Sequence, residues 1–328
     1  MAENRLSPFV VVRDDDDVPQ HLRHGVIAIG NFDGVHRGHR AVIETAIGQA
    51  RSAGKPAAAL TFEPHPRSFF QPDEPSFRLS SEASKLRLLA ATGLDGAIVL
   101  TFDAALAGLT AEEFITRVLL ERLAVSGVAV GFNFHFGKDR TGSPEFLTRQ
   151  GARRGFAVDI VAPFMLKGVR VSSGMVRAAL AAGRVAEATD LLGYPWFITG
   201  QVIHGDRRGR ELGYPTANLE VEPDCSLKHG IYAVRVGVGG RHYDGVASFG
   251  RRPMFDSGVV LLEVYLFDFS GDLYDQTLDV AFIAWIRPEL KFETVSELVR
   301  RMDEDSRMAR AALARAPDLF PPLAATVT

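Results

Sequence analysis

Cysteine is nearly absent from this sequence. Of 328 residues only Cys225 carries a thiol, which excludes a disulfide framework and any multi-thiolate metal site and makes the reducing cytoplasm the expected compartment. Long apolar runs are missing as well. No stretch approaches the roughly 20 residues that cross a bilayer, and the start, "MAENRLSPFVVVRDDDD", lacks the basic and then apolar layout of an export signal. No membrane partner is expected. Charge of one sign is not in excess either: 37 Lys and Arg against 40 Asp and Glu leave −3. A global basic field for nucleic acid is thereby excluded, so no nucleic-acid partner is expected and any anion site must be local. The run Asp14 to Asp17 is expected to be a solvated loop, because nothing beside it would fix metal-ligand geometry.

What is present is the composition of an ordinary globular protein, with 46% apolar and 23% charged residues. The length suggests two domains. In the first half, five apolar runs, "GVIAIG", "PAAALTF", "DGAIVLTF", "VSGVAVGFNF" and "FAVDIVAPF", alternate with helical runs. In the first of these helices Val42, Ile43, Ala46, Ile47 and Ala50 recur at helical spacing. Thr110 with Glu113 forms a capping box, and Ser143 and Pro144 open another helix. Unalternating strands separated by helices predict a parallel α/β sheet covered on both faces. Ligands of such sheets lie beyond the strand C-terminal ends. After the helical "GMVRAALAAGRVAEATDLLG", short alternating strands run from Trp196 to Pro288. They predict a closed antiparallel barrel, followed by one helix that starts at a Thr294 to Glu297 capping box.

The stretch "IGNFDGVHRGHR", Ile29 to Arg40, stands where a strand hands over to a helix. His36 and His39 are three apart and lie nearly on one face of a first helical turn. A helix N-terminus favours phosphate, imidazole donors add to it, and Gly30, Gly34 and Gly38 let backbone and ligand approach. Nucleotide polyphosphate binding is the chemistry implied. Two surface histidines near a cap are the bland alternative, and zinc is a weaker one because spacing places no third ligand. "GFNFHFGKD" fails as a Walker A loop in both spacing and its final residue, and "GVGGRH" fits a hairpin turn better than a dinucleotide fingerprint.

"GNFDGVHRGH" resembles the H-x-G-H signature of the nucleotidyltransferase superfamily, and more closely the adenylyltransferase module of bacterial bifunctional riboflavin kinase/FAD synthetases. "TFEPHPR", "RLSSEASKL", "VGFNFHFGKDRTG" and "VSSGMVRAAL" follow in the family's order. The resemblance implies a Rossmann-like nucleotidyltransferase domain over residues 1–184. It implies that Gly30, Phe32, Asp33, Gly34, His36 and His39 meet ATP, that Asn133 and His65 meet the flavin nucleotide, and that Ser172, Ser173 and Arg177 hold the triphosphate as pyrophosphate departs. Two positions depart from the family pattern: Gly174 stands where Thr is usual, and His135 where Arg is.

"GQVIHGDRRGRELGYPTANLEV" places Thr216 and Asn218 two apart, on one side of a strand, with Pro215 at its start. A hydroxyl and a carboxamide oxygen are hard ligands suited to Mg2+. A solvated basic loop is the alternative for the arginines. The stretch resembles the P-T-A-N signature of riboflavin kinases, and the likeness continues through "HGIYAVRV", "GVASFGRRPMF" and "LLEVYLFDFSGDLYDQTLDVAFIAWIRPELKF". It implies a β-barrel riboflavin kinase domain over residues 185–328 with a C-terminal helix. Thr216 and Asn218 would bind Mg2+, Gly205, Arg210 and Gly213 would belong to a loop over ATP, Arg287 would meet the flavin, and Glu263 would be the base for the riboflavin 5′-hydroxyl. On residue pattern alone Glu263 could instead be an outward strand residue, since Leu262 and Val264 would then face the core. Met254 departs from the family's Thr. The expected substrates are riboflavin, FMN and ATP, with FAD as final product; a kinase with a silenced first module, or a regulator binding RNA through Arg207 to Arg210, are the competing readings. Oligomeric state is left open by the sequence.

Overall fold

The computed structural model describes residues 8–14, 16–74, 77–204, 213–251 and 260–324. The chain forms two compact units, one of residues 1–76, 80–172 and 322–328 and the other of 77–79 and 173–321.

The first unit is built on a six-stranded parallel sheet in the order β1-β4-β3-β2-β5-β6: β1 (Val10–Val12), β2 (Val26–Ile29), β3 (Ala57–Glu63), β4 (Gly96–Thr101), β5 (Gly127–Gly131) and β6 (Ala157–Val161). One strand exceeds the expected five. β1 is only three residues long, too short for a pattern, and exists because Val10 to Val12 pair with Gly96 to Ile98. The acidic run after it is also less idle than expected. Both carboxylate oxygens of Asp14 accept from the Thr101 N–H, at 2.8 and 3.1 Å, and Asp16 accepts from the Arg13 N–H at 2.7 Å. Helix α1 (Arg37–Ser52) buries Val42, Ile43, Ala46, Ile47 and Ala50, the five positions its periodicity predicts. The Thr110 to Glu113 capping box is complete, though the helix widens to a π-type coil over Phe114–Arg122. Shorter helices α2 (Pro66–Phe70), α3 (Glu82–Ala90), α4 (Ala104–Gly108) and α5 (Ala111–Glu113) precede α6 (Pro144–Arg154), which Ser143 caps, and a small hairpin of β7 (Met165–Leu166) and β8 (Val169–Arg170) follows β6.

The second unit is a closed six-stranded antiparallel barrel: β9 (Phe197–Ile203), β10 (Ala217–Glu220), β11 (Gly230–Val238), β12 (Arg241–Arg251), β13 (Val260–Leu266) and β14 (Thr277–Arg287), ordered β10-β13-β12-β11-β14-β9, with β9 and β10 closing it. Its interior is apolar, with Tyr232, Phe249, Leu262, Val264 and Phe282 fully buried. "GVGGRH" makes the β11–β12 hairpin, where Gly239 and Gly240 take φ of +55° and +76°, values a two-residue turn needs and glycine supplies freely. The long helical run before the barrel divides into α7 (Ser173–Ala181) and α8 (Val185–Leu192) around Gly183. Residues 77–79 join this unit because the Trp196 Nε1–H donates to the Leu79 carbonyl (2.8 Å) and Phe77 packs edge-on against the same indole.

The C-terminal helix, α9 (Val295–Arg315), begins where Thr294 Oγ1 accepts from the Glu297 N–H, the first half of the expected box. It packs Ala309 and Leu313 onto the outer side of the barrel against Ala233 and Phe267. Its last turn is held by Arg235, 7% exposed, whose guanidinium donates to the carbonyls of Leu313, Pro317 and Leu319. The Leu313 carbonyl is one that a helix end leaves without a full set of partners, and the other two belong to the segment that follows the helix.

The single thiol sits between β10 and β11. Burial pushes Cys225 up to about 11, so below that pH the unreactive thiol form dominates. Alkylation of the native protein at pH 8 is expected to be slower than in denaturant by at least about tenfold. Equal rates, measured by mass spectrometry, would place Cys225 in an open environment.

Candidate functional site

In the first unit the sheet changes direction at β2. Strands β3 and β4 build outward on one side of it, and β5 and β6 on the other. The C-terminal ends of β2 and β5 lie side by side, Ile29 opposite Val130, and such a switch point opens a crevice for ligands. The loop after β2 carries His36 into that crevice and the loop after β5 carries Asn133. His65 follows β3, the neighbour on the other side.

His36 is the N-cap of α1, and its Nδ1 accepts from the His39 N–H at 3.2 Å. In the neutral ring the proton is then on Nε2, which can act as a donor. The two imidazoles stack, with centroids 3.6 Å apart and planes 13° off parallel, and Phe32 sets its ring edge-on to His39 at 5.4 Å. No acidic residue stands in the first turn of α1, so the partial positive charge of the helix end is not neutralised there. Gly38 allows the arrangement: a Cβ on it would lie 3.1 Å from His36 Cε1. The Val171 carbonyl passes 3.6 Å from the same point, which brings Ser172 beside the start of α1.

On the barrel, cross-strand register sets the second site. Asn218 pairs directly with Glu263, and Glu263 with Ser248, so the three side chains share one face of three adjacent strands. That face is the outer one, because Leu262 and Val264 fill the barrel interior. Glu263 is therefore an outward strand residue, as its neighbours suggest, and yet it is not on open surface. Helix α9 and residues 287–292 roof this face and enclose a cavity of about 500 Å³ lined by Thr216, Ser248, Glu263, Tyr265 and Arg287 among others. The roof is tied down at two points. Arg287 and Asp305, 8% and 4% exposed, form a two-pronged ion pair of 2.8 and 2.5 Å, and the Tyr214 hydroxyl donates to Asp303. Burial, and then that bond, push Tyr214 up to about 12. A second carboxyl, Glu289, also lines the cavity. Burial holds it above the usual carboxylate range, the negative charge of Glu263 adds to this, and His229 and Arg287 oppose it.

Residues 18–175 match the family model for FAD synthetase and residues 192–313 match that for riboflavin kinase. The bifunctional riboflavin kinase/FMN adenylyltransferase of Pseudomonas fluorescens is 41% identical over 297 residues, covering 90% of this chain and 95% of that protein. The enzyme of the same name from Escherichia coli K12 is 41% identical, covering 92% and 96%. The chain belongs to the bifunctional riboflavin kinase/FMN adenylyltransferase family. It forms FMN from riboflavin and FAD from FMN, as transferase activities that draw on ATP. A crystal structure of a Streptococcus pneumoniae protein described as a macrolide-efflux protein has a TM-score of 0.81 and 31% identity over 92% of this chain and 99% of that one. No helix among the described residues of this family member is long and apolar enough to cross a membrane.

The remaining expected residues fall as follows. Gly30, Phe32, Asp33 and Gly34 form the β2–α1 loop with His36. Asn133 is exposed, its Oδ1 near Gly131 at the end of β5, and its carbonyl oxygen is 3.0 Å from His135 Nδ1. His65 caps the short helix Pro66–Phe70 by accepting from the Arg67 N–H. Ser172 closes the first unit, whereas Ser173 and Arg177 belong to α7 of the second. There the Arg177 Nε–H donates to the Phe77 carbonyl at 2.5 Å. Gly174 is exposed on α7. Arg287 lines the cavity, but its fork is directed at Asp305. Gly213 is described and exposed, while Gly205, Arg210 and Met254 lie outside the described residues. Sequence reasoning missed Glu289, Asp305 and Tyr214. Their partners are between 18 and 89 residues away in the chain, so although Tyr214 and Glu289 stand inside quoted signatures, nothing nearby in the sequence shows what they meet.

Gly38→Ala is expected to lower FAD formation at least about tenfold, since displacement of a catalytic group by about 1 Å can cost 100-fold. FMN formation should be unchanged and thermal stability equal or higher, because Ala favours a helix over Gly. An unaltered FAD rate would show that the His36 ring position is not critical.

Proposed function

We propose that the crevice beside His36 performs FMN adenylylation and the roofed cavity beside Glu263 performs riboflavin phosphorylation. The cross-strand row of Asn218, Glu263 and Ser248, of which Glu263 and Ser248 line the cavity of about 500 Å³ together with Thr216, carries the second assignment. The stacked pair His36 and His39, at a helix N-terminus with no acidic residue in its first turn, carries the first. The boundary between 184 and 185 is part of the proposal, as the limit of a barrel fragment able to phosphorylate riboflavin alone.

In adenylylation a phosphate oxygen of FMN attacks the α-phosphorus of ATP and pyrophosphate leaves. No protein nucleophile is needed, so positioning and charge stabilisation supply most of the rate. Donors on His36 and His39 meet phosphate oxygens over the α1 N-terminus, Asn133 and His65 orient the flavin nucleotide, and Ser172 serves the departing pyrophosphate. Removing both imidazoles, His36→Ala with His39→Ala, is expected to abolish FAD formation while FMN formation stays near normal. Loss of both in a folded protein would sink the separation of the sites.

In phosphorylation the riboflavin 5′-hydroxyl attacks the γ-phosphorus of ATP and ADP leaves. The oxygen donors of Thr216 and Asn218 fit Mg2+. Mg2+ shares its shell with phosphate and water, so two protein oxygens are enough to hold it beside ATP. When bound, Mg2+ offsets phosphate charge. Glu263 orients the hydroxyl and takes its proton as the bond to phosphorus forms. Glu263→Gln keeps the shape and loses the base, so FMN formation should fall by about 100-fold or more, with riboflavin binding similar and FAD formation from supplied FMN retained. Near-normal kinase turnover, with chemistry shown to be rate-limiting, would mean that the base lies elsewhere.

A further inference from the structure

We infer that Ser80 and Lys85 are positioning residues for adenylyl transfer, acting through the loop Asn31 to Val35; this rests on the reading of His36 as part of the phosphate grip. The loop takes an unfavourable path. Phe32, Gly34 and Val35 have φ of +50°, +75° and +34°, and for a β-branched residue such as Val35 a positive φ is an outlier that the surroundings must enforce.

The enforcing groups come from one short segment, residues 80–85, which touches the loop at both ends. At the far end the Gly34 N–H donates to Ser80 Oγ (3.0 Å), and the Ser80 N–H donates to Asp33 Oδ1 (3.1 Å). At the near end the Asn31 carbonyl accepts from Thr61 Oγ1 (3.1 Å) and from Lys85 Nζ (3.5 Å). Lys85 is 2% exposed and pairs with Glu63 Oε1 at 2.7 Å, with further contacts to Thr61 Oγ1 and the Phe62 carbonyl. Burying such a pair is weak evidence of a gain in stability, since apolar residues of similar size often serve as well. What Lys85 adds is direction: it joins the end of β3 to the start of the loop. The loop ends at His36, whose ring is both cap and phosphate donor, so an error in the loop turns the imidazole.

The test uses the full chain and measures FAD formation from FMN, ATP and Mg2+ alongside FMN formation from riboflavin. The variants are Ser80→Ala, Lys85→Met with Glu63→Gln, His36→Ala, and each of the first two combined with His36→Ala. The paired change at 85 and 63 avoids leaving a buried carboxylate unpaired. Ser80→Ala and the Lys85→Met pair should each lower FAD formation at least about tenfold, with FMN formation unchanged. In the His36→Ala background they should lower it by less than about twofold, because residues that act through one group are not additive. A merely structural role would multiply the losses instead, and that result overturns the inference, as does an undiminished FAD rate in the first two variants. If His36→Ala itself leaves FAD formation intact, the reading of the phosphate grip fails and the inference falls with it.

Discussion

The outer face of the barrel becomes a cavity only because a helix lies over it, and that helix is fastened by the two-pronged ion pair of Arg287 and Asp305. Both charges are buried. Removing one partner of such a pair leaves the other uncompensated, at a cost of about 3–5 kcal/mol. The end of β14 and the middle of α9 are therefore obliged to meet. From that meeting follow the wall beside Glu263 and the burial of Tyr214. Arg287, expected to contact flavin, is first of all the fastening of the wall.

The first unit meets the same problem with a different solution. Its crevice lies at the end of a parallel sheet, where strand order reverses, and the candidate groups stand on loops or at the start of α1. Loops are positioned by what grips them. Here the grip is polar and internal: Ser80 and Asp33 at one end, Thr61 and Lys85 at the other. In both halves a buried ion pair stands behind the reacting groups rather than among them.

The two reactions ask for different surroundings. Adenylyl transfer needs anion donors and no base, which on the proposed assignment a helix N-terminus with two imidazoles would supply. Phosphorylation of a primary alcohol needs an acceptor for the proton, which on the same assignment the Glu263 carboxylate would supply. This difference explains why one chain keeps two separate folds. A parallel sheet presents helix ends and an antiparallel barrel presents cross-strand rows.

Much of this could be read from the sequence. Alternation and helical periodicity determined a parallel sheet followed by an antiparallel barrel, because local patterns report which face of each element is buried. The five buried positions of α1, the capping box at Thr110 and the hairpin at Gly239 and Gly240 were determined in the same way, each by contacts within a few residues. The signatures around His36 and Thr216 could mark the two proposed sites because they are contiguous in the chain. Tertiary structure alone decided β1, whose three valines are a strand only beside β4. It decided that Lys85 reaches Asn31 and that Asp305 reaches Arg287. It also resolved Glu263. Alternation showed that this side chain turns away from Leu262 and Val264, but whether outward meant solvent or cavity depended on a helix that begins more than 30 residues later. Local pattern carries the direction of a side chain, and only long-range packing supplies what it meets.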